Sequence, residues 1–197
     1  MPTMSFLEAS FCRSTPWRLL ARRIVPWATQ NLPLAGDVLE IGGGSGTMAE
    51  QIVRNNSQVR ITTTDIDPAM VVRAREHLAE FPSAQVRQAD ATRLPFDDES
   101  FDAVVSFLML HHIVDWEQAV AEAARVLRPG GQFVGYDLVA SRASSLLHVA
   151  DRSPHRLIDP KAFTSSLRQN GLELLSLKYS LRGGVFRFLA GQNIRPG

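Results

Sequence analysis

Apolar and polar positions along this chain follow two alternating periods, and the switches between them mark out its elements. Val38, Leu39 and Ile41 form a short apolar run that reads as a buried strand, and Thr47 to Asn55 follow as a helix. The same order recurs downstream as strand 60–65, helix 68–80, strand 84–89, strand 101–106, helix 115–127 and strand 131–137. Helix starts carry their own signals. Asp67 reads as a cap for a helix opened by Pro68, and Asp115 with Gln118 three residues on is a variant of the capping box. Pro129-Gly130-Gly131 reads as the stop before strand 131–137. Strands alternating with helices imply a parallel sheet covered on both faces.

The two ends of the chain depart from this alternation. Near the N-terminus Thr15 can cap a helix, Pro16 suits its first position, and Trp17, Leu20, Ile24 and Trp27 recur at helical spacing. Arg18, Arg22 and Arg23 fall on its other faces, where solvation is the simplest reading. Toward the C-terminus a helix from Pro160 to Asn170 is stopped by Gly171. Strand 173–179 then turns at Arg182-Gly183-Gly184 into strand 185–190, a hairpin that suits an antiparallel edge pair. No repeat, low-complexity tract or interdomain linker interrupts the pattern, and 197 residues fit one domain with a substantial core.

The densest chemistry sits in Val38-Leu39-Glu40-Ile41-Gly42-Gly43-Gly44-Ser45-Gly46. Gly42, Gly44 and Gly46 allow positive φ, and the turn is expected to bring backbone N–H groups against a ligand where strand hands over to helix. Gly44-Ser45-Gly46-Thr47-Met48-Ala49 formally satisfies the dinucleotide fingerprint G-x-G-x-x-G/A. Glu40 argues for another nucleotide, because a carboxylate two residues before the first glycine is a poor neighbour for a pyrophosphate. S-adenosylmethionine carries a sulfonium and an ammonium and no phosphate, so Glu40 can attract its methionine part directly or through water. Asp65 follows Gly42 by about 20 residues, the spacing at which a carboxylate accepts from both ribose hydroxyls.

Composition narrows the classes further. Apolar content of 45% and charged content of 21% are those of a soluble globular protein, and a net charge of +1 gives no reason to seek nucleic acid or a membrane. One cysteine, Cys12, leaves no internal disulfide and fits a reducing compartment. No signal peptide or membrane-spanning run is evident, so the expected location is the cytoplasm. No His/Cys cluster has metal-ligand spacing, and no metal is expected. There is no G-x-S-x-G elbow or Walker sequence.

Val38 to Gly46 resembles the first motif of the class I S-adenosylmethionine-dependent methyltransferases, and later segments match in order. They are R-I-T-T-T-D-I-D-P-A-M, Q-A-D-A-T-R-L-P-F, F-D-A-V-V-S-F-L-M-L-H-H-I and R-V-L-R-P-G-G. The chain is most similar to the small-molecule enzymes of ubiquinone and menaquinone biosynthesis and to natural-product O-methyltransferases. The resemblance implies a Rossmann-like doubly wound α/β sheet of seven strands, mostly parallel with an antiparallel C-terminal hairpin. In one such domain, residues 1–33 form a helical cap, 36–139 the cofactor core, 140–160 a substrate cover, and 161–197 the last helix and hairpin.

It also implies roles. S-adenosylmethionine is the expected cofactor, with S-adenosylhomocysteine as product. Asp90 takes the adenine amino group, the Ala91 amide the ring nitrogen beside it, and Ile66 packs on the adenine face. Backbone carbonyls near Gly42 and at Ser106–Phe107 receive the methionine ammonium. Leu94, Pro95 and Phe96 shape the loop beside the adenine or pack in the core.

Methyl transfer is an in-line displacement that depends on positioning, and an oxygen nucleophile also needs a base. The resemblance to natural-product O-methyltransferases makes His111 the candidate base and Asp137 its orienting partner or a second substrate contact, although both His111 and His112 could simply shape their loop. His112, Arg13, Trp17 and His148 are candidate acceptor contacts, with Phe11, Cys12 and Asp151 beside them. His155, next to Pro154, reads as a loop residue. The expected partner is a small-molecule acceptor, with the chain a monomer or homodimer. A donor-binding module without catalysis, or a nicotinamide-dependent oxidoreductase, are the alternatives.

Overall fold

The computed structural model describes residues 15–139, 156–180 and 183–192, with side chains from residue 21 on. Helix α1 (Thr15–Ala28) precedes strand β1 (Gly36–Ile41), α2 (Thr47–Asn55), β2 (Val59–Asp65), α3 (Pro68–His77) and β3 (Ala84–Gln88). Then come β4 (Phe101–Phe107), a 3-10 turn (Leu110–His112), α4 (Trp116–Val126) and the long β5 (Leu127–Leu138). Helix α5 (Pro160–Gln169) and strands β6 (Leu172–Tyr179) and β7 (Val185–Gln192) complete the described chain. The strands form one sheet in the order β3-β2-β1-β4-β5-β7-β6. The first five run parallel, and β7 is antiparallel to both β5 and β6.

Two apolar layers flank the sheet. On one side Ala21, Val25 and Ala28 of α1 and Met48, Ala49 and Ile52 of α2 pack on Val38, Ile61, Val105 and Val134. On the other, α4 and α5 cover Leu39, Ile41, Val104 and Phe133. Phe163 of α5 meets Phe186 and Phe188 of β7 with ring centroids 5.3 and 4.8 Å apart, edge to face. Alternation along β1 thus sends Leu39 and Ile41 one way and Val38 and Glu40 the other, which places the carboxylate on the α2 side.

Several boundaries differ from the sequence reading, each for a local reason. Helix α3 ends at His77 instead of residue 80, because Ala79 and Phe81 N–H groups bond three residues back in tighter turns. Strand β5 starts at Leu127, four residues earlier than expected. Leu127 already pairs with Phe101, and the ladder resumes only at Ala103 with Gln132, so Pro129-Gly130-Gly131 forms a bulge inside the strand. Asp115 does not cap α4 with its side chain. Its backbone (φ −98°, ψ 53°) lies outside the extended region from which a capping carboxylate reaches the helix N–H groups. Asp67 and Asp159, both extended and both before proline, do cap: Asp67 accepts from Ala69 N at 2.8 Å and Asp159 from Lys161 N at 2.8 Å.

Candidate active site

From β1 the sheet grows through β2 and β3 in one direction and through β4 and β5 in the other. That reversal opens a crevice beyond the carboxyl ends of β1 and β4, where ligands of doubly wound folds bind. The glycine turn lies there. Gly42, Gly44 and Gly46 all have positive φ (65°, 55° and 80°). A methyl group on Gly44 would meet nothing within 4 Å, so this turn presents open backbone outward. Gly43, which the sequence reading passed over, is constrained from below: a side chain there would collide with Thr63 Oγ1 and the Glu40 carboxylate. Gly42 lies under the Met109 side chain and Gly46 against Leu78 of the segment after α3.

Three N–H groups of this turn are committed within the protein, where the sequence led to the expectation that they face a ligand. Gly43 N bonds Thr64 O, Gly44 N bonds Asp65 Oδ2, and Gly46 N bonds Gly43 O, each at 2.9 Å. A phosphate cradle needs such donors free and convergent. Those three are unavailable for one, which weighs against the dinucleotide reading.

Of the acids beneath the turn, Glu40 is buried and Asp65 half-buried, and neither carries a basic partner among the described residues. Glu40 is only 1% exposed and accepts from Thr63 Oγ1 at 2.5 Å, while its backbone carbonyl accepts from Thr64 Oγ1. Burial drives its pKa up to about 7; the Thr63 bond opposes that shift and the nearby Asp65 charge adds to it. Asp65 accepts from Gly44 N through Oδ2 and from Asp67 N through Oδ1, both at 2.9 Å. Desolvation nonetheless raises its pKa, with the backbone bonds from Asp67 and Gly44 pulling the other way. An ionised carboxylate has about four acceptor sites, so these two bonds leave Asp65 capacity for a ligand hydroxyl pair.

Next along this edge, Asp90 follows β3 and closes an Asx turn, its Oδ1 accepting from Thr92 N (2.9 Å) and Thr92 Oγ1 (2.7 Å). Ile66 is half-buried, and its carbonyl accepts from Gln88 Nε2. Ala91 and Leu94 belong to the core on the α4 side, which settles Leu94 as a packing residue. Ser106 and Phe107 end β4 beside Gly135 and Tyr136 of β5, Ser106 buried and Phe107 packed on Tyr136.

Beyond β4 the chain turns through Leu108, whose φ of 55° is left-handed for a residue with a branched side chain. Its N–H bonds Tyr136 O at 2.8 Å, and the turn carries Met109 over Gly42. The following 3-10 turn brings His111 Nδ1 to 2.5 Å from Asp137 Oδ1. Asp137 is fully buried and also accepts from Leu110 N (2.8 Å) and Leu138 N (2.7 Å). Those two backbone bonds hold the carboxylate in place against the imidazole. The rings of His111 and His112 lie 4.0 Å apart. Arg156 N donates to the His111 carbonyl at 2.8 Å, and its guanidinium pairs bidentately with Glu117, a tie that sequence alone did not signal. Arg13, His148 and His155 lie outside the described residues, as do Phe11, Cys12, Asp151 and the side chain of Trp17. Among the described residues no His/Cys/Asp/Glu cluster could hold a metal ion, and no helix is long and apolar enough to cross a membrane.

A seven-stranded doubly wound sheet with an antiparallel last pair, acids at the tips of adjacent strands and a glycine turn between them define the class I methyltransferase architecture. Residues 39–135 match a family described as a methyltransferase domain. Over this segment the chain is similar to the class I S-adenosylmethionine-dependent methyltransferases, a family whose methyl donor is S-adenosylmethionine. It is 34% identical over 119 residues to a demethylmenaquinone methyltransferase of Clavibacter sepedonicus, covering 60% of this chain and 45% of that one. It is 38% identical over 102 residues to a phosphatidylethanolamine N-methyltransferase of Cereibacter sphaeroides, covering 50% and 49%. The chain therefore spans about half the length of these relatives. In fold it is similar to a Haloferax volcanii methyltransferase solved in complex with the Trm112 methyltransferase activator, with TM-score 0.84, 18% identity, and 98% and 100% of the chains covered.

Proposed function

We propose that this chain transfers the methyl group of S-adenosylmethionine by in-line displacement to a small-molecule acceptor seated against His111. The observation that carries the reading is the pair of neighbouring carboxylates, buried Glu40 and half-buried Asp65, with no basic side chain bonded to either among the described residues. Two such groups held together in low dielectric favour a ligand that brings positive charge. Asp65 takes the ribose hydroxyls, Asp90 and the Ala91 amide the adenine edge, and Ile66 one adenine face. Glu40 acts through the turn on the sulfonium and ammonium, and the carbonyls near Gly42 and at Ser106–Phe107 receive the ammonium.

With Nδ1 committed to Asp137, proton transfer from the acceptor runs through His111 Nε2, and Asp137 holds the tautomer and steadies the imidazolium that forms. His112 sits against that ring and forms part of the acceptor wall. The similarity to demethylmenaquinone and phosphatidylethanolamine methyltransferases supports a small organic acceptor and leaves its reacting atom open. The reaction is assigned to the cytoplasm. A screen of acceptors with methyl-labelled S-adenosylmethionine tests the function. Transfer of label to at least one small molecule supports it. Tight S-adenosylhomocysteine binding with no transfer to any acceptor class would leave a donor-binding module instead.

A further inference from the structure

Helix α4 reaches across to the loop after β3 through two side chains that the donor reading does not use. Arg125 is bonded twice to Glu122, Nε to Oε1 and Nη2 to Oε2, both at 2.8 Å. The same guanidinium continues outward. Nη1 donates to Phe96 O (2.8 Å) and Asp98 Oδ1 (2.7 Å), and Nη2 donates to Leu94 O (3.1 Å). Glu122 Oε2 also accepts from Leu94 N at 2.7 Å. Leu94 is thus gripped at both its N–H and its C=O by one ion pair.

An exposed ion pair on a helix contributes little by itself. This one differs because half of its bonds run to the backbone of another segment. Just upstream, Arg93 N closes on Asp90 O at 3.0 Å and Thr92 closes on Asp90 Oδ1. Asp90, Ala91 and the gripped Leu94 therefore form one short rigid span, anchored from α4 at its far end. Only a planar five-donor fork can hold two carbonyls and two carboxylates together, so lysine cannot replace Arg125.

We infer that Glu122 and Arg125 are positioning residues for the donor: they set the 90–96 backbone so that the Asp90 carboxylate and Ala91 amide meet the adenine edge. This rests on the reading of Asp90 and Ala91 as adenine contacts. If it holds, loosening the clamp erodes discrimination between bases, a property that general loss of stability does not change.

The test is a calorimetric titration of the full chain with S-adenosylhomocysteine and with S-inosylhomocysteine, in which a carbonyl replaces the adenine amino group. The wild-type chain is expected to prefer the adenine form by at least about tenfold, since a carboxylate facing a carbonyl loses its hydrogen bond. Arg125→Met, which keeps much of the apolar stem, is expected to cut that preference about tenfold, and Glu122→Gln to cut it less in the same direction. Should Arg125→Met fail to fold, Arg125→Lys and Glu122→Gln carry the same measurement. Asp37→Asn, at the opposite end of the sheet, is the stability control and should leave the preference intact. A wild-type chain indifferent to the base would overturn the adenine reading and the clamp together. Undiminished preference in the folded Arg125 and Glu122 variants would overturn the clamp alone.

Discussion

The two ends of strand β1 hold carboxylates only three residues apart in sequence and in opposite electrostatic states. At the amino end Asp37 accepts from Arg60 Nε at 2.8 Å and from Arg128 Nη2 at 3.2 Å. Arg128 also pairs with Asp102 at 2.8 Å, and Asp102 in turn accepts from Asp37 N. The Arg60 bond, with Arg128 behind it and partial burial opposing, holds the Asp37 carboxyl below its ordinary range. At the carboxyl end Glu40 has a threonine hydroxyl for a partner and a second carboxylate for a neighbour, and its pKa rises to about 7. One strand, two solutions. The amino end neutralises its charge internally and stitches β1, β2, β4 and β5 together. The carboxyl end leaves negative charge uncompensated, the arrangement suited to a ligand that supplies the cation.

The contrast can be broken at several points. The largest effect is expected at His111. His111→Ala should lower the methyl-transfer step about 10²–10⁴-fold, the range for a general base, with S-adenosylhomocysteine affinity near wild type. Single-turnover kinetics with a labelled donor checks this, and unchanged transfer would remove His111 from the mechanism.

Asp65→Asn keeps the size of the side chain but removes its charge and one of its two acceptors. Donor affinity should fall about 100-fold, as expected for losing bonds to a charged group. Equal calorimetric affinities for variant and wild type would show that the acidic floor does not recognise the ligand.

Glu40 sets a pH signature. Its pKa is about 7 folded against an ordinary 4.5, so between those values the unfolded chain has released a proton that the native chain retains. Its contribution to stability is therefore fully present below pH 4.5 and is lost as pH rises through about 7. A cationic ligand selects the ionised form, so donor affinity should move the other way and rise about tenfold from pH 6 to pH 8. Glu40→Gln should flatten that profile; a variant with the same slope as wild type would assign the titration elsewhere.

The smallest effect belongs to the amino end. Asp37 is partly exposed, so Asp37→Asn should cost less than about 1 kcal/mol in chemical denaturation and leave donor binding untouched. Weakened donor binding in this variant would show the two ends of the sheet to be coupled.

Much of this architecture was readable before any coordinates. The apolar runs of β1 and β4, the β-branched run of β2, the glycines after Ile41 and the acids at Glu40, Asp65 and Asp90 announce themselves through local rules of period, turn chemistry and strand ends. The antiparallel hairpin was equally legible from the turn at Gly183-Gly184 between two apolar runs. Local pattern failed where a distant partner decides the outcome. Pairing of Leu127 with Phe101 extended β5 through a segment whose proline and glycines argued for a stop.

The chain by itself determined which residues could form each element and which acids would stand at strand tips, because periodicity and backbone freedom are properties of neighbours in sequence. Only the tertiary structure decided that Gly43 must lack a side chain above Glu40 and Thr63, and that Arg125 grips Leu94 across 31 residues. It also turned the Gly43 and Gly44 N–H groups inward, onto Thr64 O and the Asp65 carboxylate. Hydrogen bonds and desolvation act between atoms a few ångströms apart, and it is the packing of the sheet that chooses those atoms.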